Sequence, residues 1–452
     1  MMADCDRFRV IIAGGGIAGL TLANALDKAG VDFIVLEKYE IAPQLGASIA
    51  IVCHTARIFE QLGVWKAMCA TTSPLTARHH LDERGTLFDD SPIFQLLLDK
   101  TNWPTVFMER RVCLEVLYGN IKDKSRIRAN VGIASYIQTK HGITVITDRG
   151  ESIQGSILVG ADGVHSKVRS LLADSISEDD PERRRNLLEG FTSSYRTIFG
   201  TSPNGLDGPE PRRLLPHGIA HHVYHRGASG ITAAGGKGLI FWFLFVKEPS
   251  TSTSPNCPRY TPSDVAATME KYGDLVACPG YNFRDLWESS IKSGMVPMEE
   301  GVIQGPWNND DRVVLVGDAT CKITINAGLG GNLAVEGVCR LVNELVPLLR
   351  RTQTPTTREI VASFERYERM QRPRADLTFD MAHLVTRYES MDSLWLRILR
   401  WLSPWIPLRF IGNIFLDYMK PAPILNFLPD PDDPSPSQSP IAVDQGAEMI
   451  SE

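Results

Sequence analysis

The chain has no CxxC pair, no surplus of basic residues, no internal repeat and no uninterrupted apolar run near the ~20 residues that a membrane-spanning helix requires. Each absence excludes something. The eight cysteines at 5, 53, 69, 113, 257, 278, 321 and 339 lack the short Cys/His spacing of a zinc site, so no metal is expected. Their scatter predicts reduced thiols in an intracellular protein, cytoplasmic or peripherally associated with an internal membrane. A formal charge of -6 at pH 7 leaves no concentrated Lys/Arg patch for a phosphate backbone, so nucleic acid is not an expected partner. The opening residues MMADCDRFRVIIAGGG enter a strand too early to hold the basic and apolar regions of a secretory leader.

What remains is an ordinary globular balance, 43% hydrophobic and 22% charged over 452 residues, enough for two or three structural units. Residues 9–40 read strand, glycine turn, helix, strand, which is a βαβ unit. From about residue 176 to 300 β-like runs dominate, among them GLIFWFLFVKE (238–248), whose unbroken apolar centre suits a strand covered on both faces. Near Thr261 an N-cap Thr, Pro262 and Asp264 mark a short helix start. Helical patterns prevail after about residue 340, and the Pro-, Ser- and acid-rich tail reads as disordered.

Chemistry begins with GGGIAG, where Gly14, Gly16 and Gly19 satisfy GxGxxG. Gly14 permits the tight turn, Gly16 lets a pyrophosphate approach the backbone, and Gly19 lets the helix pack on the strands. Glu37 closes the second strand, where a carboxylate accepts from a ribose diol; this favours FAD or NAD over NADP at this first site. Two later segments repeat the device of an acid beside glycine beyond an apolar strand. ILVGADGVHSKVR places Asp162 and Gly163 there, and VVLVGDATCKITINAGLGGNLAVEG places Gly317 and Asp318 there, followed by Gly328, Gly330, Gly331 and a helix start near Asn332. Asp318 suits ribityl hydroxyls, and the helix N-terminus suits the negative charge of a reduced ring. A plain cap or turn role for Asp318 is the alternative.

In order and kind, these three motifs resemble the flavin-dependent aromatic hydroxylase class of monooxygenases. More narrowly, LEKYEIAPQLGASIAI, FMERRVCLEVLY and GGNLAVEG resemble fungal FAD-dependent monooxygenases of meroterpenoid and indole-diterpene biosynthesis. The resemblance implies an α/β fold: a Rossmann-like FAD-binding domain (1–75, 105–175 and 300–345), an inserted β-sheet substrate domain (76–104 and 176–299), a C-terminal helical region (346–428) and a tail (429–452). It implies FAD as cofactor, NAD(P)H as transient reductant, and epoxidation or hydroxylation of a lipophilic prenylated intermediate. Residue by residue, it assigns cofactor contacts to Asp162, Asp318, Ala50, Gly331 and Arg110, with the adjacent Arg111 left open by register. It places Arg196 and Tyr224 toward substrate as donors to a developing alkoxide, although an exposed ion pair and a solvated sheet hydroxyl are the plainer readings.

The chain departs from the family pattern at Cys321, Ile325 and Leu329, where the family commonly has His, Pro and Gln. That keeps two alternatives open, a flavin dehydrogenase or reductase and a non-redox isomerase, cyclase or binding protein on the same fold. Cys321 reads as a small packed residue rather than a tether. The histidines at 217, 221, 222 and 225 read as solvated strand or loop residues, with alternation sending His221 and His222 to opposite faces. The segment SLWLRILRWLSPWIPLRFIGNIFLDYMK is broken by Arg397, Arg400, Arg409, Pro404 and Pro407. It reads either as an interfacial segment lying in lipid headgroups or as a helical cap over the cofactor domain.

Overall fold

The computed structural model describes residues 7–43, 48–176, 180–205 and 214–433; from residue 434 on, the expected disordered tail lies outside them. Two sheets organise the α/β fold. The first holds five strands, all parallel, in the order Val313–Leu315, Ile157–Gly160, Arg9–Ala13, Asp32–Glu37 and Ile127–Ala129. Strands Val313–Leu315 and Ile157–Gly160, and Arg9–Ala13 after its exposed first residue, are apolar and buried because both faces are covered. The helix Ile17–Ala29 packs against Gly330–Arg351, and Gly30 ends the former in the left-handed conformation, φ 71°.

The second sheet has eight strands, in the order Cys321–Lys322, Lys292–Val302, Thr192–Pro203, Leu239–Thr253, Ala228–Gly235, Ile219–His225, Ala77–Leu81 and Leu87–Ser91. Alternation along Leu239–Thr253 sorts its side chains into two cores, as its unbroken apolar centre requires. Trp242, Leu244 and Val246 pack with Ile198, Val223, Phe283 and Leu286 on the outer face, toward helices Pro262–Tyr272 and Phe283–Glu288. Phe243 and Phe245 pack with Tyr195, Ile231 and Met298 on the inner face, toward the helix Thr357–Glu389. The helix at Pro262 starts on the Thr261/Asp264 capping box that the sequence announces.

The helices Leu394–Leu402 and Leu408–Met419 are one-sided. Tyr418 and Met419 are buried against the cofactor domain, whereas Trp395, Trp401 and Trp405 are 62%, 64% and 65% exposed beside Leu394, Ile398, Phe410 and Ile414. Among the described residues no helix is long and apolar enough to cross a membrane. The buried side is fastened by charge. Arg374 donates from Nε and Nη2 to the two carboxylate oxygens of Glu336 at 2.8 and 2.9 Å, and from Nη1 to the Tyr418 carbonyl. Its guanidinium lies 3.6 Å from the Tyr418 ring centroid, and His54 Nε2 is 2.8 Å from Glu336.

Candidate active site

Parallel pairing brings the three glycine–acid motifs to one edge, the carboxyl ends of adjacent strands, where open α/β sheets bind ligands. A Cβ on Gly14, at φ 101°, would lie 2.5 Å from the Ala161 oxygen of the Asp162 turn, and one on Gly19 would lie 1.9 Å from the Gly14 oxygen. Only glycine permits those approaches. Gly317, φ 65°, sits against Ala18 of the first helix and Ala334 of the later one, so the Asp318 turn abuts both helix starts.

Glu37 Oε2 accepts from the Gly15 amide at 2.6 Å, and its Oε1 accepts from the Tyr39 amide at 2.8 Å. The carboxylate is thereby aimed over the glycine turn with lone pairs to spare. Arg110, the first residue of helix Arg110–Asn120, brings its guanidinium to 4.0 Å from the Cβ position of Gly16 and has no hydrogen bond or ion pair among the described residues. Arg111 instead turns to Glu115 at 2.7 Å. Ser48 Oγ is buried without a partner among the described residues. An unpaired guanidinium over a glycine cradle and an orphaned hydroxyl on the residue paired with Glu109, next to Arg110, fit a long phosphate-bearing cofactor such as FAD.

Ala50 and Gly331 come together through a residue that sequence reasoning treats only as a helix start. Asn332, fully buried, donates to the carbonyls of Ala50 and Gly328 at 2.8 Å each and accepts from the Val52 amide at 3.1 Å. A Cβ on Gly331 would lie 2.6 Å from the Ile49 side chain. Residues 44–47, part of the stretch that carries the family resemblance, lie outside the described residues.

Asp318 is paired with Lys322 at 2.5 Å, half-buried at the edge. Asp162 has a structural occupation: Oδ1 accepts from Ser166 Oγ at 2.5 Å and Oδ2 from the Val168 amide at 3.0 Å, at the start of helix Lys167–Asp174. Arg169, another residue sequence reasoning passed over, donates to Ala319 O at 3.0 Å and Val164 O at 2.6 Å, tying this motif to the Asp318 turn. Burial lowers its pKa to about 10, against the pull of Asp162 and Glu299, so it stays charged at neutral pH. Burial, reinforced by Asp318 and Asp376, pushes the Cys321 thiol far up; it is a packed thiol rather than a nucleophile.

The inner face of the eight-stranded sheet meets this edge through Ile325, whose side chain packs on the cluster of Phe243, Phe245, Tyr195, Ile231 and Met298. Beyond the aromatics the same face turns polar. His222 pairs with His80 across the parallel strands, and Tyr224 Oη lies 2.8 Å from His80 Nδ1. His222 Nδ1 lies 2.7 Å from Glu389 Oε1, while Asn326, next to Ile325, donates to Glu389 Oε2 at 2.6 Å. Burial drives His80 well below its ordinary value, with His222, Arg78 and His79 adding to it. Burial, then Glu389 and Tyr388, raises Tyr224 well above its own. Both are therefore neutral at pH 7.

Two expectations change here. Arg196 pairs in register with Val246, on the outer face, one residue out of step with the Thr197–Phe245–Ser229–Tyr224 row. There it is held by Glu248 at 2.8 Å, which also accepts from Tyr260 at 2.7 Å. The structure thus separates Arg196 from Tyr224 by the thickness of the sheet. His221, His222 and His225 are buried rather than solvated, because elements distant in sequence cover both faces; His217 alone of the four is exposed. Among the described residues no group of three His, Cys, Asp or Glu is arranged for a metal ion.

A family model described as an FAD binding domain matches residues 7–188. The chain is 36% identical to the FAD-dependent monooxygenase esdpE of Penicillium shearii over 87% of this chain and 81% of that protein. It is 34% identical to the FAD-dependent monooxygenase cle3 of Aspergillus versicolor, over 94% and 82% respectively. Klebsiella pneumoniae HpxO complexed with FAD and uric acid is similar at TM-score 0.72, covering 92% of this chain and 97% of its own; at 18% identity that shows the fold alone. Identity above one third, sustained over most of both sequences, places this chain in the family of FAD-dependent monooxygenases.

Proposed function

We propose that the enzyme inserts one atom of dioxygen into an electron-rich carbon of a lipophilic, prenylated secondary-metabolite intermediate, by epoxidation or hydroxylation. Substrate, O2, NAD(P)H and a proton give oxygenated substrate, NAD(P)+ and water. Bound FAD supplies the electron transfer and the reaction with oxygen. The chain's own residues bind and orient. Glu37 accepts from the ribose, Arg110 pairs with the pyrophosphate, and Asp318 accepts from the ribityl chain. The aromatic face excludes water, and the Tyr224 hydroxyl donates to the oxygen developing on the substrate.

One observation carries this reading: Ile325 of the glycine loop packs directly on the apolar inner face of the sheet, so the cofactor edge and an aromatic wall adjoin. The outward tryptophans of the C-terminal helices, flanked by Arg397 and Arg409, support adsorption to lipid headgroups, from which such a substrate is collected. The test is the visible spectrum of the purified protein, followed by NADH or NADPH addition in isotopically heavy dioxygen with a prenylated phenol. A product carrying one heavy oxygen is expected. A product without added oxygen favours a dehydrogenase, and colourless protein that still turns over substrate overturns the flavin chemistry altogether.

A further inference from the structure

The polar end of the inner sheet face contains a cation that the proposed reaction does not use. Arg78 lies on strand Ala77–Leu81, in register with Ala220 and two residues before His80, so it shares a face with His80, His222 and Tyr224. Its guanidinium lies 5.3 Å from the centroid of the Phe94 ring. Its Nε is buried with no hydrogen-bond partner, and the described residues give Arg78 no ion pair.

Two carboxylates face this cluster, Asp89 opposite His80 across the strand pair and Glu389, the charge that acts most on Arg78, and the latter is already engaged. Both oxygens of Glu389 are taken, one by His222 at 2.7 Å and the other by Asn326 at 2.6 Å. His80 and His222 are held neutral by burial, and Tyr224 keeps its proton. A half-buried guanidinium whose buried Nε has no partner is costly, and its fork geometry suits an oxygen bearing partial or full negative charge. The aromatic row of Phe243 and Phe245 continues from this point toward Ile325.

We propose that Arg78 forms the recognition site for an enolic or phenolic oxygen at one end of an otherwise apolar substrate. This rests on the reading that the inner face holds substrate. Arg78 fixes which end of the molecule lies away from the cofactor edge and thereby selects the carbon presented to it. It is a specificity-determining residue, while Tyr224 retains the role of donor.

The flavin-loaded protein is titrated with an ortho-nitrophenol carrying a para-hexyl chain, and with its methyl ether, which lacks the acidic oxygen. The nitrophenolate's own absorption band reports ionisation separately from oxygen insertion. Native enzyme is expected to bind the phenol more tightly than the ether and to lower the pH at which it ionises. Arg78→Gln loses roughly tenfold to a hundredfold in phenol affinity with ether affinity unchanged, and Arg78→Lys recovers part of the loss. An unchanged phenol-over-ether preference in Arg78→Gln overturns the proposal. So does native protein that leaves the bound phenol ionising at or above its free pH, a measurement that needs no variant. Neither readout depends on NAD(P)H or oxygen insertion, so loss of the monooxygenase reading shows separately, as a product without heavy oxygen.

Discussion

Asp318 reaches the cofactor edge with one oxygen engaged by Lys322, which leaves lone pairs for hydroxyl donors. Asp318→Ala is expected to purify with much less flavin, its FAD dissociation constant rising roughly tenfold or more, the worth of one charged hydrogen bond. Flavin absorbance against protein absorbance measures it. The two neighbouring arginines make a paired test. Arg110→Met weakens FAD binding by a similar factor, whereas Arg111→Met, which breaks only a surface pair with Glu115, leaves it unchanged. Tyr224→Phe removes the buried hydroxyl and is expected to lower kcat by roughly a hundredfold if its hydrogen reaches the substrate oxygen. Arg196→Met, on the outer face, leaves kcat near native and shifts only stability. Steady-state kinetics on both variants separates the two residues that sequence alone places side by side.

Among elements, the joint between strand Ser48–Ile51 and helix Gly330–Arg351 depends on one amide. Asn332→Ala leaves the Val52 amide and the Ala50 and Gly328 carbonyls without their partner, at a cost of about 1–3 kcal/mol in urea unfolding. Glu336 gives the helix pair its pH dependence. Burial pushes its carboxyl up, but His54 and Arg374 prevail and hold it at about 2, below the ordinary 4.5. A depressed acid stabilises the fold above its unfolded value, and that contribution disappears as pH falls from about 4.5 toward about 2. Denaturation midpoints across that window measure the slope, and Glu336→Gln is expected to flatten it while lowering stability at neutral pH.

The elements that local pattern specifies were legible: the strand–glycine–helix start, the Glu37 strand, the capped helix at Pro262 and the doubly covered strand around Trp242. What sequence could not give was facing. Whether Arg196 or Tyr224 looks inward turns on how strand Thr192–Pro203 registers against Leu239–Thr253, where Arg196 pairs with Val246 and not with Phe245, and a one-residue slip reverses every side chain. The histidines look solvated until Glu389 arrives from another helix. Arg78 lies in no motif, and Arg169 and Asn332 lie in motif segments that give them no role of their own, because the partners Ala319, Ala50 and Val52 lie on elements remote in the chain.

Over the whole molecule, the C-terminal helices combine the two readings that the sequence left open: they cap the cofactor domain and also turn three tryptophans outward. Replacing Trp395, Trp401 and Trp405 with Ser is expected to abolish sedimentation with anionic phospholipid vesicles while leaving flavin content unchanged, since none of the three is buried. Equal sedimentation of native and substituted proteins counts against adsorption. Deleting the segment is a different operation. Without Tyr418, Arg374 loses the carbonyl and the aromatic face that shelter it, and without the residues that follow, Arg340 and Asn343 of the helix bearing the Asn332 joint lose the Pro421 and Ile424 carbonyls. Shortening the polypeptide to gain solubility therefore strikes at flavin retention itself. Recolouring the outer surface with polar side chains is the gentler route to tractable protein.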